Sequence, residues 1–216
     1  MHLDIIGALL NVLMLWIITA PHEFAHAWVG TKLGDETPRQ DGRVTLNPLA
    51  HVDWLGTAIL PFATSLLGGG LLGWGKPVRS DVRQLKGGYN GLLVVALAGP
   101  FSNILMAVLL AALGVALSAR YPSLGSYLVQ GANLSLYLAI FNLLPVPPLD
   151  GSKLLLAARI PASIYNEISR SALLVLVVGF YLLPFGRWMS QWAQTGTFAI
   201  LDSLAAVGLR LPYPSG

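Results

Sequence analysis

A chain of 216 residues is long enough for one domain, yet 55% of them are hydrophobic and only 11% charged, against roughly 25% charged in ordinary soluble domains. The net charge of +3 comes from 13 Lys and Arg thinly spread between apolar runs, so no basic block exists to hold a nucleic-acid backbone, and the chain reads as an integral membrane protein embedded in a lipid bilayer. Cysteine is absent, which excludes disulfides and thiolate ligands and leaves His and carboxylate to hold any metal.

Six apolar stretches follow one another at residues 3–32, 55–74, 92–119, 128–144, 172–185 and 188–209. The first lacks a basic leader, and Pro21 stands where a signal peptidase would cut, so the segment is expected to be retained. The first, third and fourth are long enough, at about 1.5 Å per residue, to cross or nearly cross a hydrocarbon core of roughly 30 Å. The fifth is short and the sixth contains Asp202. The second runs through LPFATSLLGGGLLGWGKP, whose glycines and prolines suit an irregular or re-entrant path better than a plain helix. The expected fold is an all-α polytopic membrane protein, a helical bundle of about four to six spans with a small re-entrant β element between the first two long spans. It is expected to form a single membrane domain over residues 1–216, with a motif-bearing core at 1–160 and C-terminal helices at 161–216.

Basic residues in short loops favour the cytoplasmic side. If the second stretch dips in and returns, Lys32, Arg39, Arg43, Lys76, Arg79, Arg83, Lys86, Lys153, Arg159 and Arg170 share one face, leaving Arg120 and Arg187 opposite. A full crossing gives a much weaker bias. The re-entrant arrangement is therefore expected, with the N-terminus outside and the chemistry toward the cytosol.

Near the end of the first stretch stands HEFAH, residues 22–26. On a helix His22 and His26 project from one face a turn apart, within reach of one small cation, while Glu23 can point toward the cation's open side without binding it. Two imidazoles on a metal, an acidified water and a carboxylate to take its proton are what zinc hydrolysis requires. A His–Glu pair at a helix end can also be merely interfacial, but ionisable groups inside an apolar run are expensive and usually functional. A catalytic zinc site takes a third protein ligand. His2, His51 and Asp53 are available, but the most suggestive is Asp150 in FNLLPVPPLDGSKLL, where Pro145, Pro147 and Pro148 prevent regular helix and Asp-Gly signals a turn within an apolar context.

The ordered set HEFAHAWVGTKLGD (22–35), GRVTLNPLAHVDWLGT (42–57), GWGKPV (73–78), ALAGPFSN (96–103) and NLLPVPPLDG (142–151) resembles the site-2 protease family of intramembrane zinc metalloproteases, particularly small bacterial-type members without an appended periplasmic PDZ domain. The resemblance implies zinc held by His22, His26 and Asp150, with Glu23 as general base. It places Asn103 and Asn142 near the substrate backbone or the polar lining of the site; read alone, either could serve a helix–helix contact. RVTLN (43–47) has strand-like composition, and KPVRS (76–80) could run extended beside it. Together they could make an edge that receives an unwound substrate by strand addition, as in the family's re-entrant β element.

The function expected is an intramembrane zinc metalloendopeptidase that cuts within or near transmembrane segments of other proteins, in a prokaryotic inner membrane. The alternatives are a membrane metal-binding or transport protein, and a proteolytically inactive homologue that binds membrane helices. A conduit needs further carboxylates or histidines along its spans, and residues 92–119 and 128–144 contain none. Intact Glu23 favours the enzyme over the inactive binder.

Overall fold

A computed structural model describes residues 4–66, 73, 75–181 and 183–209, without the side chains of residues 173, 177, 180 and 181. The chain divides into two compact units, Met1–Gly99 and Pro100–Gly216.

The first unit is organised on helix α1, Ile5–Lys32, capped by Asp4, whose carboxylate accepts from Gly7 N–H at 2.8 Å. Its long run of Leu, Ile, Met and Ala sustains the helix through Pro21, which removes one intrahelical donor. Ile6, Leu9, Leu13 and Ile17 line an exposed apolar face, while Ile18, His22 and His26 follow one another at four-residue spacing on the buried face. A stripe of exposed large aliphatics of this kind is suited to hydrocarbon rather than water. Trp16 Nε1–H donates to Thr57 O and Asn11 Nδ2–H to Ser65 Oγ, each at 2.8 Å. These bonds hold α1 against a π-helical turn at Trp54–Ile59 and helix α3, Leu60–Leu66.

Between α1 and the π turn lie the short helix α2, Thr37–Gln40, and a 3-10 turn, Pro48–His51. The fully buried Asp35 organises this polar region. Its carboxylate accepts from Thr37 N–H at 3.0 Å and from Asp81 N–H at 2.8 Å, joining the exit of α1 to a segment far along the chain. The ion pairs Arg39–Glu36, Arg79–Asp41 and Arg83–Asp81 decorate the exposed side; the hydrogen bonds from Arg83 hold the Asp81 carboxyl down at about 2.

Helix α4 covers Tyr89–Ser118 and contains Pro100. In the second unit its lower half meets α5, Pro122–Asn142. A Cβ on Gly114 would lie 2.9 Å from Gly125 O, and one on Gly125 2.8 Å from Gly114 O, so this pair of glycines lets two backbones touch, as small residues do between membrane helices. Further along, Ser135 Oγ–H donates to Asn103 O at 2.7 Å. After the short α6, Ser152–Ala157, come α7, Ala162–Tyr181, and α8, Phe185–Ala206. Met189, Ala193 and Thr197 form the buried stripe of α8, and Asn133 Nδ2–H on α5 reaches Thr197 Oγ1 at 3.3 Å.

Two expectations are corrected. Among the described residues three helices, α1, α4 and α5, are long and apolar enough to cross a membrane, rather than four to six. The second apolar stretch yields the Trp54–Leu66 helical segment, about 20 Å long at α-helical rise and so short of the roughly 30 Å core; residues 67–72 and 74 lie outside the described residues. Glu167 and Arg170 in α7, and Arg187 and Asp202 in α8, make those helices more polar than the three candidate spans. The re-entrant β element is also absent: no strand and no re-entrant loop occurs among the described residues. RVTLN and KPVRS do not pair as strands because a side chain stands where a ladder would run. The buried Arg43 guanidinium donates to Ala50 O and Lys76 O, and Lys76 N–H donates to His51 O at 3.0 Å, beyond the end of RVTLN.

Replacing Asp35 by Ala leaves the half-buried amides of Thr37 and Asp81 without their acceptor, a loss of about 1–3 kcal/mol. Thermal unfolding in detergent is expected to show the apparent Tm falling by roughly 5–10 °C.

Candidate metal centre

His22 and His26 are both buried, 5% and 6% exposed, and their rings stand nearly perpendicular at 86° with centroids 4.7 Å apart. The two Nε2 atoms face each other at 3.1 Å. His26 Nδ1 lies 2.7 Å from Val95 O on α4. A carbonyl can only accept, so Nδ1 carries the proton and Nε2 presents its lone pair toward His22. A second nitrogen 3.1 Å from that lone pair requires a proton or a cation between them. Two donors of a tetrahedral zinc site, each about 2.0–2.1 Å from the ion, stand about 3.3 Å apart, so the pair fits a zinc ion with little adjustment.

His22, His26 and Asp150 each offer a ligand atom, and these atoms lie within 4.8 Å of one another. The donor set of two imidazoles and a carboxylate suits zinc with one coordination position open. Asp150 is presented by a tight turn after α5. Gly151 N–H donates to Asn142 O at 2.7 Å, and a Cβ on Gly151 would fall 2.2 Å from Leu143 O, so only glycine lets the chain close here.

Glu23 is 7% exposed, and its Oε2 has no hydrogen-bond partner among the described residues. Its Oε1 lies 2.9 Å from the place a Cβ on Gly75 would occupy, so the backbone at Gly75 passes close to the carboxylate. Gly99 plays the matching part for the histidines: a Cβ there would come within 2.3 Å of His26 Nε2 and 2.6 Å of His22 Cε1. Backbone and imidazole pack in contact, and any other residue at 99 pushes the rings aside.

The remaining sequence candidates have the following surroundings. Asn103 is 1% exposed with its Oδ1 unpartnered among the described residues, while its backbone carbonyl holds Ser135. Asn142 turns its Nδ2–H back to Leu138 O on its own helix, at 3.0 Å. His51 is buried and donates from Nε2 to Thr45 O at 2.8 Å. Burial pushes its imidazole below the ordinary range, against the raising effects of that bond and of Glu23's charge. Asp53 caps the π turn, accepting from Gly56 N–H at 2.8 Å, and His2 lies outside the described residues. The sequence reading missed Val95, whose contribution is a main-chain carbonyl without side-chain signal. It also missed Gly75, Gly99 and Arg43 individually, although each stands inside a stretch singled out for its resemblance.

Over 209 residues, covering 91% of this chain and 91% of the relative, the sequence is 34% identical to YwhC of Bacillus subtilis (strain 168), named as a candidate zinc metalloprotease. Residues 118–184 match peptidase family M50. The chain belongs to that family. Candidate zinc metalloproteases named Rip2 are also similar. That of Mycolicibacterium smegmatis is 31% identical over 69% of this chain and 57% of its own length, and that of Mycobacterium tuberculosis (strain H37Rv) 31% over 67% and 56%. No solved structure matches the chain. Family M50 is that of zinc metalloproteases related to bacterial site-2 protease-like proteins, and the resemblance read from the ordered motifs is therefore correct. The family match contains Asp150 but not the histidine pair, which the YwhC relationship, spanning nearly the whole chain, complements.

Replacing Gly99 by Ala is expected to lower zinc affinity about tenfold or more, as loss of a ligand-orienting contact does. Zinc content of the purified protein, measured beside wild type and His22→Ala, checks this.

Proposed function

We propose that this M50 protein is an intramembrane zinc metalloendopeptidase that hydrolyses peptide bonds within or near transmembrane segments of other membrane proteins. The observation that carries the reading is the convergence of His22, His26 and Asp150 with the buried Glu23 carboxylate one residue from the first ligand. His22, His26 and Asp150 would hold the ion. When bound, zinc supplies Lewis-acid polarisation of a carbonyl and a water acidified to near neutral pH.

This chain's own groups do the rest. Glu23 Oε2, lacking a partner among the described residues, takes the proton of the attacking water and returns it to the leaving amine nitrogen. Asn103, with its unpartnered amide oxygen, is assigned to an unwound substrate's backbone N–H, and Asn142 to the same lining. The apolar outer faces of α1 and α4, including Leu13, Ile17, Leu97 and Phe101, suit lipid and the helical segments from which substrates come. Lys32, Arg39, Arg43, Lys76, Arg79, Arg83 and Lys86 cluster in the loops following α1 and preceding α4. By the positive-inside tendency, the chemistry faces the cytosol of a prokaryotic cell.

Metal transport is disfavoured because α4 and α5 carry no Asp, Glu or His, so an ion has no further stations along them. Glu23→Gln, reconstituted with a transmembrane-helix substrate, is expected to retain zinc and lose activity by about 10²–10⁴-fold. Cleavage at the wild-type rate overturns the proposal, and zinc uptake into sealed vesicles by both proteins establishes transport instead.

A further inference from the structure

Arg43 is 4% exposed, and the hydrogen-bond partners of its guanidinium are carbonyls rather than carboxylates. Nη1 donates to Ala50 O and Nη2 to Lys76 O. Burying a guanidinium without a directly bonded counter-ion is expensive, and for stability alone an apolar side chain would serve the two loops better. Burial accordingly pushes the Arg43 pKa down, while the charge of Glu23 works in the other direction. The second carbonyl belongs to the residue after Gly75, and the Lys76 amide is itself held by His51 O at 3.0 Å. Lys76, the residue after Gly75, is thus held at both its N–H and its C=O.

We propose that Arg43 is a positioning residue for the reaction: by holding the Ala50 and Lys76 carbonyls it presses the Gly75 backbone against Glu23 Oε1, and this contact fixes the direction in which Oε2 meets the attacking water. The inference rests on the reading of Glu23 as proton acceptor. Lysine cannot replace Arg43, because an ammonium is a point donor whereas the guanidinium fork spans two acceptors.

The test uses the full chain in lipid vesicles with a transmembrane-helix substrate. Arg43→Lys is expected to lower kcat by about 10–100-fold, the effect of a small misplacement of a catalytic group, with KM and zinc content as in wild type. Hydrogen exchange at the amides of residues 75–80 becomes faster, while exchange along α1 stays unchanged. Added guanidinium partly restores Arg43→Ala but not Arg43→Lys, whose ammonium occupies the space. Wild-type kcat in Arg43→Lys despite faster exchange at 75–80 overturns the proposal. Loss of zinc from both Arg43 variants does so too, since the role is then merely structural. If neither Arg43 variant folds, Gly75→Ala decides. Its Cβ would meet Glu23 Oε1 at 2.9 Å and Thr19 Cγ2 at 2.8 Å, so kcat falls at unchanged KM if the contact matters, and full activity there sinks the idea. An inactive Glu23→Gln beside an active Arg43→Lys removes only the positioning role; an active Glu23→Gln removes the protease reading itself.

Discussion

The bond from His26 Nδ1–H to the Val95 carbonyl, 2.7 Å long, is the constraint on which the candidate metal centre depends. Inside apolar surroundings an imidazole without a partner at one nitrogen is costly to bury and free to choose its tautomer. The Val95 carbonyl removes both problems: it satisfies the buried N–H and leaves the other nitrogen as an acceptor facing His22. Because a helical carbonyl has a second lone pair, α4 accepts this bond without surrendering its own ladder. The cluster is in this sense built from backbone as much as from side chains.

Close approach is the second ingredient, and glycine supplies it. Gly99 lets the α4 backbone touch the imidazoles, Gly75 lets its own backbone approach the Glu23 carboxylate, and Gly151 lets the turn close that presents Asp150. Each contact excludes even a methyl group. Packed this way, the polar atoms have few alternative positions, which is how a metal site gains a preferred geometry before the ion arrives. In the first unit the same economy extends into the loops, where the Asp35 carboxylate and the Arg43 guanidinium each satisfy two main-chain groups of segments distant in sequence. These side chains take the place that a β ladder was expected to fill.

Much of the centre was legible before any coordinates. The four-residue spacing of His22 and His26 could mean only one helical face, and Pro145, Pro147 and Pro148 announced that the chain opens just before Asp150. The family could be named because its motifs occur in order. What misled was composition read as geometry. RVTLN has the residue types of a strand, yet Arg43 is buried and binds the Ala50 and Lys76 carbonyls, the second of which belongs to the expected partner strand. The glycine-rich second stretch suggested a re-entrant path, yet its described part is a helical segment too short to cross. Residues 162–181 and 185–206 counted as candidate spans because they contain apolar runs, but their ionic and amide side chains set them apart from α1, α4 and α5.

The sequence by itself determined the class of molecule, its three strongest spans, the histidine pair and the family, because these follow from local periodicity, composition and ordered motifs, all written in one dimension. Only the tertiary structure decided which of His2, His51, Asp53 and Asp150 is grouped with the pair among the described residues, which carbonyl orients His26, and what lies against Glu23. Those choices depend on contacts between segments far apart in the chain and on main-chain atoms that every residue possesses, so no residue type could have signalled them.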